Sequence, residues 1–478
     1  MLFAATVYAQ DPDDTRQLLE HSARELEQHH EQVLLEPALT EERPTFSING
    51  KTYPIGHNIH DLGRALYLSL QQQRWNLAAG FLSEYLTLPG YDPALVHYAQ
   101  GKLARAYGKY REAVAEFRQL LALQPGFLVA RLELARTLFE DYQLREADAL
   151  FAGIAASVEQ ETPEARGMHK TIAAYRAALA RRQEWTGSMA LGVAWGDNIN
   201  RTSASQMCLL MLPNGVCVID RKLPDAIVAN GYAFAANAQK YLPVSGHHGV
   251  YLHALGFGQG WRNHHLYNEF NAHLEAGYRY RNGRQTVMLA PAFYYYVLGN
   301  SALYAGLGIR GQWDWLLSPR AMWQLDADWK RMDYQQPAYA VQHDGIQRSA
   351  AVTYIKRLNH GLSVFAGLNM AEHAAVQAVN TWTVQGLRAG LSWQWPAGIS
   401  QLLSVSARQR RYGAHNALLG ARREDHERGV TLSLTLNRWA RAGFVPVVTL
   451  RHDRVNSNVD WLYRYRRKIL SLKMQRGF

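Results

Sequence analysis

The sequence predicts two domains: an all-α stack of helical repeats, followed by a 14-stranded antiparallel transmembrane β-barrel. Three observations predict this. The apolar period is helical up to Arg182 and changes to two after Trp185. Part of the first half repeats itself at a spacing of about 34 residues. No run of about 18 apolar residues occurs anywhere, which excludes a helical span. It does not exclude a barrel, whose strands cross with about 9–11 residues, only alternate ones apolar.

The helical half is justified by its repeat. In YREAVAEFRQLLALQP, Ala113, Phe117 and Pro125 hold small, aromatic and proline positions. Ala147 and Phe151 recur in LREADALFAGI, and Ala79 with Leu82 supply an earlier copy in WNLAAGFLSEYL. Gly101 and Ala135 hold the small position of the first helix in successive copies. The pattern resembles the tetratricopeptide repeat, in which small residues let paired helices approach and stacking buries a continuous core. The repeat domain is expected over residues 61–182. On its register Tyr98, Lys102, Arg136 and Phe139 would face the groove as a client-binding surface; the alternative is that the rings fill gaps and the charges are solvated.

The second half, residues 185–478, alternates. Met189, Leu191, Val193 and Trp195 share one face of SMALGVAWG, with small residues on the other. LYAGLGIRGQWDW sets Leu303, Ala305, Leu307, Ile309, Trp313 and Trp315 against Tyr304, Arg310, Gln312 and Asp314. A soluble sandwich also alternates, but aromatic belts, charged inward faces and the strand number favour a membrane barrel. Strand centres fall near 191, 236, 255, 274, 291, 309, 326, 352, 367, 389, 406, 432, 449 and 470. Arg281-Asn282-Gly283 and Ser318-Pro319 are tight turns, whereas Asn198–Asn230 and Gly413–Glu427 are expected to be long polar loops. The chain ends in Phe478 after alternating Leu470, Leu472 and Met474, which resembles the signal read by the outer-membrane insertion machinery.

Composition agrees. Of the residues 48% are hydrophobic, and 26 Tyr and 13 Trp concentrate in the second half, as interfacial girdles require. The net charge of +11 points to nucleic acid, anionic lipid or an acidic partner. The chain has no zinc-finger spacing, basic heptads or RNA-binding aromatic signature, so lipopolysaccharide, phospholipid or a translocating client suits the charge better than nucleic acid. Cys208 and Cys217 flank Pro213-Asn214-Gly215, a turn that would let them close a disulfide; two unpaired thiols are the alternative. No metal site is expected from two cysteines, and His29-His30 lack a third ligand. No cofactor is implied. Leu2–Val7 is apolar and Val7-Tyr8-Ala9 resembles a signal-peptidase site, without a basic n-region. Residues 1–9 are therefore a clipped secretory signal or a chance match, and residues 10–60 a charged lead-in.

The two halves together resemble the Slam family, the surface lipoprotein assembly modulators of the type XI secretion system. HYAQGKLARAYGKYREAVAEFRQLLALQP and ARLELARTLFEDYQLREA are similar to the family's repeat domain. Trp185, Gly192 and Asp197-Asn198-Ile199-Asn200 are similar to its junction, and RREDHERGVTLSLTLNRWARAGFVPVVTLRHDRVNSN to its closing hairpins. The resemblance implies a Gram-negative outer-membrane translocator with its repeat domain in the periplasm. Its clients would be surface lipoproteins, or soluble proteins of host interaction and of haem or iron acquisition. It implies no catalytic residue, and the barrel is expected to be monomeric. Asp197, Asn200, Arg422 and Arg423 could line the barrel mouth, or be ordinary loop charges. The runner-up is a polysaccharide exporter, against which three repeats argue. A barrel enzyme would need a catalytic constellation, and neither His247-His248 nor His264-His265 fixes one.

Overall fold

The computed structural model describes residues 58–158, 162–359 and 361–478. The candidate signal, His29-His30 and the lead-in up to residue 57 lie outside the described residues. Seven helices come first: α1 Ile59–Gln71, α2 Trp75–Tyr85, α3 Pro93–Ala106, α4 Tyr110–Leu123, α5 Leu128–Glu140, α6 Leu144–Ser157 and α7 Pro163–Arg181. Their starts follow the local chemistry. Asn58 accepts from the N–H groups of His60 and Asp61. Asp92 and Thr162 cap α3 and α7, each followed by a proline at the first helical position, where no N–H is needed.

The helices pack as hairpins, α1 on α2, α3 on α4 and α5 on α6, with α7 closing the stack on α6. One core runs through all of them, with Leu66, Leu70, Phe117, Leu138, Phe139, Phe151 and Ile154 fully or almost fully buried. The small position has a visible cause: a Cβ on Gly101 would lie 2.7 Å from the Phe117 ring. Ala135 is fully buried at the equivalent place.

The barrel strands are β1 Thr186–Gly196, β4 Ala229–Ser245, β5 His248–Trp261, β6 Glu269–Arg281, β7 Gln285–Leu298, β8 Ser301–Ser318 and β9 Ala321–Tyr334. β10 Gly345–Arg357, β11 Leu362–Ala375, β12 Trp382–Trp395, β13 Ile399–Asn416, β14 Ala421–Leu436, β15 Phe444–Ser457 and β16 Tyr465–Gly477 complete it. Each strand pairs antiparallel with its neighbour, and β1 pairs with β16 from Ser188↔Gly477 to Gly196↔Ile469, closing a 14-stranded barrel. Each of the expected strand centres lies inside one of these strands. Two further strands, β2 Gln206–Met211 and β3 Cys217–Lys222, form a separate hairpin within the β1–β4 loop. Cys208 and Cys217 are disulfide-bonded across it.

Outward faces are apolar: Met189, Leu191, Leu307, Ile309, Leu387, Leu470, Leu472 and Met474 are all exposed. Trp313–Trp315 and Trp393–Trp395 stack as pairs near the barrel end that carries the helices, where an aromatic girdle sits at a membrane interface. Among the described residues, no helix is long and apolar enough to cross a membrane.

Two expectations need correction. Leu303 does not share the lipid face with Leu307. The β7–β8 register shifts between Tyr296 and Val297, and Leu303 instead packs with Tyr294, Tyr296 and Tyr304. A bulge inserts a residue and reverses the alternation beyond it. The polar run Gly413–Glu427 is mostly strand rather than loop: β13 and β14 continue to Asn416 and from Ala421. Polar residues serve both faces of a hairpin that extends beyond the apolar belt.

Replacing Gly101 by valine forces α3 off the Phe117 ring. The expected loss is about 1–3 kcal/mol, as for other overpacked cores, seen as a lower helical melting temperature in circular dichroism with the barrel still folded.

Candidate functional site

Three regions bear on function: the seat of the helices on the barrel, the charged centre of the repeat stack, and the far mouth of the barrel. The seat is made by two tight turns, β4–β5 and β6–β7. Asp141, in the α5–α6 turn, is 5% exposed and accepts from His247 Nε2 at 2.8 Å and from Gly283 N at 3.4 Å. Tyr142 takes a left-handed backbone, φ 61°. This turns its ring between the Arg182 guanidinium, 4.2 Å from the centroid, and that of Arg281, at 3.9 Å. Arg284 donates to Tyr107 O at 2.8 Å, and Arg145 to Val244 O at 2.7 Å. Tyr241 of β4 joins the helical core. A Cβ on Gly283 would fall 2.3 Å from the Tyr110 ring, so glycine permits this close approach. The repeats therefore dock on one side of the rim, above β4–β7.

Within the stack, Tyr98 and Phe139 are 3% and 1% exposed. Tyr98 lies between Tyr67 and Phe127, and Phe139 meets Tyr175 edge-on at 5.1 Å. Both rings fill space between repeats, the second of the two readings that the sequence left open. Lys102 and Arg136 do meet, with Arg105, around one buried carboxylate. Glu133 lies 3.1 Å from Lys102, 2.5 Å from Arg105 and 3.6 Å from Arg136. Burial would raise its pKa, but Arg105, Lys102 and Arg136 outweigh burial and lower it to about 2. Sequence reasoning missed Glu133 and Arg105, because a helical register does not show which charge faces inward.

At the far end, Asp197 accepts from Lys468 N at 2.6 Å, and Asn200 bridges Asp225 O and Ile227 N. Arg422 donates to Tyr412 O. Arg423 is buried against Asp425 at 2.7 Å and lies 3.3 Å over the Tyr463 ring. Both pairs approach the connection between β15 and β16. Arg423 reaches Tyr463, while Ser203 and Ser205, close after Asn200, donate to Trp461 O. Arg201, which was not singled out from sequence, directly follows Asn200. Its left-handed backbone, φ 50°, carries the guanidinium to Glu269 at the start of β6. There it is within electrostatic reach of Tyr296, Tyr465 and Asp453, on β7, β16 and β15. The β1–β4 loop thus folds inward across the mouth. Below it the inner wall is charged and paired: Arg408 and Arg410 on Glu427, Arg467 and Arg451 on Asp453, and Arg310 on Asp326.

Of the residues expected to form a C-terminal insertion signal, Leu470, Leu472 and Met474 sit on β16 and Phe478 directly follows it, next to the closing seam. Leu470, Leu472 and Met474 face outward, and the Phe478 backbone exchanges hydrogen bonds with Gly187.

Comparison with known proteins agrees with this architecture. The family model for the surface lipoprotein assembly modifier matches residues 185–478, and that for its N-terminal tetratricopeptide repeats matches residues 52–151. The chain belongs to the surface lipoprotein assembly modifier family. Among its relatives is the hemophilin secretion modulator of Acinetobacter baumannii, 33% identical over 95% of this chain and 93% of that one. Surface lipoprotein assembly modifier 1 of Neisseria meningitidis is 26% identical over 87% of this chain and 83% of its own. A modifier from Haemophilus influenzae is 23% identical over 96% and 94%. The closed 14-stranded barrel and this family membership make the chain a Gram-negative outer-membrane protein. The family's names denote assembly and secretion modulators.

Glu133→Gln leaves three cations around a neutral amide. Breaking a buried pair costs about 3–5 kcal/mol, so the helical transition of the full chain should drop by many degrees. The folded carboxylate titrates near 2 rather than 4.5, so its contribution is full above pH 4.5. It is lost as pH falls toward 2. The Gln variant should lose this part of the acid sensitivity, read by thermal melts between those limits.

Proposed function

We propose that the chain delivers specific client proteins across the outer membrane, its repeat domain receiving the client and its barrel providing the route. The observation that carries this reading is the seat. Asp141, Tyr142 and Tyr107 are gripped by the periplasmic turns, so a capture surface is held at the entrance of the barrel. Relatives named for hemophilin secretion and for lipoprotein assembly suggest the client class: a surface lipoprotein, or a soluble secreted protein of haem or iron acquisition. The division of labour follows the sequence, residues 61–182 for capture and 185–478 for passage.

The client surface on this reading is the charged centre of the stack, where Lys102 and Arg136 surround Glu133, with Tyr98 and Phe139 packed beneath it. The step is one of binding and folding, with no bond made or broken. The sequence contains no phosphate-binding glycine loop. Folding of the client outside would make passage directional. Asp197, Asn200, Arg422 and Arg423 would flank the exit. Leu470, Leu472, Met474 and Phe478 would be read by the insertion machinery during biogenesis. The monomeric barrel would then rest among phospholipid and lipopolysaccharide. The polysaccharide reading gains no support from the relatives.

Removing residues 58–182 should abolish surface display of a co-expressed client, measured by labelling of intact cells, while heat-modifiable mobility shows that the barrel still inserts. Undiminished display would remove the capture step. Arg201→Ala should release the loop from Glu269 and raise single-channel conductance in planar bilayers severalfold; an unchanged conductance would mean that the loop does not close the mouth.

A further inference from the structure

The inner wall where β5 meets β6 carries a cluster to which client passage assigns no role. His253 stands opposite Glu275 in the ladder, and His273 precedes Glu275 by two residues on the same inward face. All three are buried, at 5%, 6% and 4% exposure for His253, His273 and Glu275. His253 Nδ1 lies 3.8 Å from Glu275 Oε2, and His273 Nδ1 lies 3.2 Å from Glu275 Oε1. One ligand atom from each residue falls within 4.8 Å of the other two. Ligands bound at about 2.1 Å around one tetrahedral ion stand about 3.4 Å apart. Small side-chain rotations therefore bring the three donors onto a single ion.

The two rings are held in place. His273 stacks on Tyr294 at 4.4 Å and His253 on Tyr251 at 5.9 Å, which limits the rotation of both rings. Arg310 approaches Glu275 at 3.6 Å, but its shorter pair is with Asp326 at 2.8 Å. Lys330 lies over Tyr294, whose hydroxyl bonds Asp328. Three carboxylates, Glu275, Asp326 and Asp328, thus stand among three cations, Arg310, Lys330 and Arg279, the last 4.6 Å over the Tyr251 ring. Two imidazoles and a carboxylate match the donor preference of zinc and its neighbours, whereas magnesium and calcium prefer oxygen throughout.

We propose that His253, His273 and Glu275 form a site for one divalent transition-metal ion, zinc by preference, with its remaining position open to the lumen. Bound there, the ion would cross-link β5 to β6 just above the two turns that seat the helices.

The test uses the tag-free full chain in detergent, stripped with chelator and titrated with Co2+ as a spectroscopic probe. One equivalent should bind and develop the ligand-field absorption of a four- or five-coordinate ion, and Zn2+ should displace it. His253→Ala, His273→Gln and Glu275→Gln should each weaken binding by about tenfold or more, with folding checked by heat-modifiable mobility. His264→Ala/His265→Ala, outside the cluster, should leave it unchanged. No saturable signal in the unaltered chain overturns the proposal. So does a signal that persists in folded His253→Ala or His273→Gln protein. The unaltered chain alone decides the matter if a variant fails to fold.

Discussion

Everything in this molecule depends on the pairing of β1 with β16. Hydrocarbon offers no partner to a backbone N–H or C=O, so a sheet in a membrane must have no edge. The ladder from Ser188↔Gly477 to Gly196↔Ile469 removes the last two edges at once. Closure then dictates the rest. With strands alternating, one face must meet lipid and the other a lumen, and the apolar set Met189, Leu191, Val193 and Trp195 has only one place to go. Closure also brings the barrel start beside the chain end, where Gly187 and Phe478 exchange hydrogen bonds. The even strand number sets both ends of the barrel on the side of the helices.

The lumen shows what such closure demands of polar side chains. A charge enclosed there costs several kcal/mol unless paired, and the pairs follow the ladders. Arg408 and Arg410 on β13 reach Glu427 on β14, and Asp453 on β15 meets Arg467 on β16. Each of these carboxylates is shared by two arginines, since Arg451 also pairs with Asp453, so these clusters stay net basic although each guanidinium has a partner.

Much of this was legible in the residues. Period-two alternation located the strands because a strand half in lipid must alternate, and the recurring Ala113/Phe117 and Ala147/Phe151 pairs located the helix pairs because only small residues admit the partner helix. What was hidden depends on register between segments distant in sequence. The bulge at Leu303, opposite Tyr296 and Val297, turns that side chain inward, and nothing local in LYAGLG announces it. Gly413–Glu427 looks like a loop because strands that continue into water need no apolar face. Tyr98 and Phe139 were placed on the correct helices, but their depth depends on Phe127, Tyr67 and Tyr175 from other helices. His253 meets Glu275 only through the β5–β6 ladder, whereas the adjacent pairs His247-His248 and His264-His265 attracted notice by sequence proximity alone.

The grip of the turns on Asp141 and Tyr142 has a kinetic consequence. Tethering two binding elements at short range makes the second encounter intramolecular, with an effective concentration on the order of millimolar. On the proposed reading, a cargo held by the repeats meets the barrel entrance at that concentration, however scarce it is in the periplasm. The barrel need then bind it only weakly, and weak binding favours prompt release at the far side.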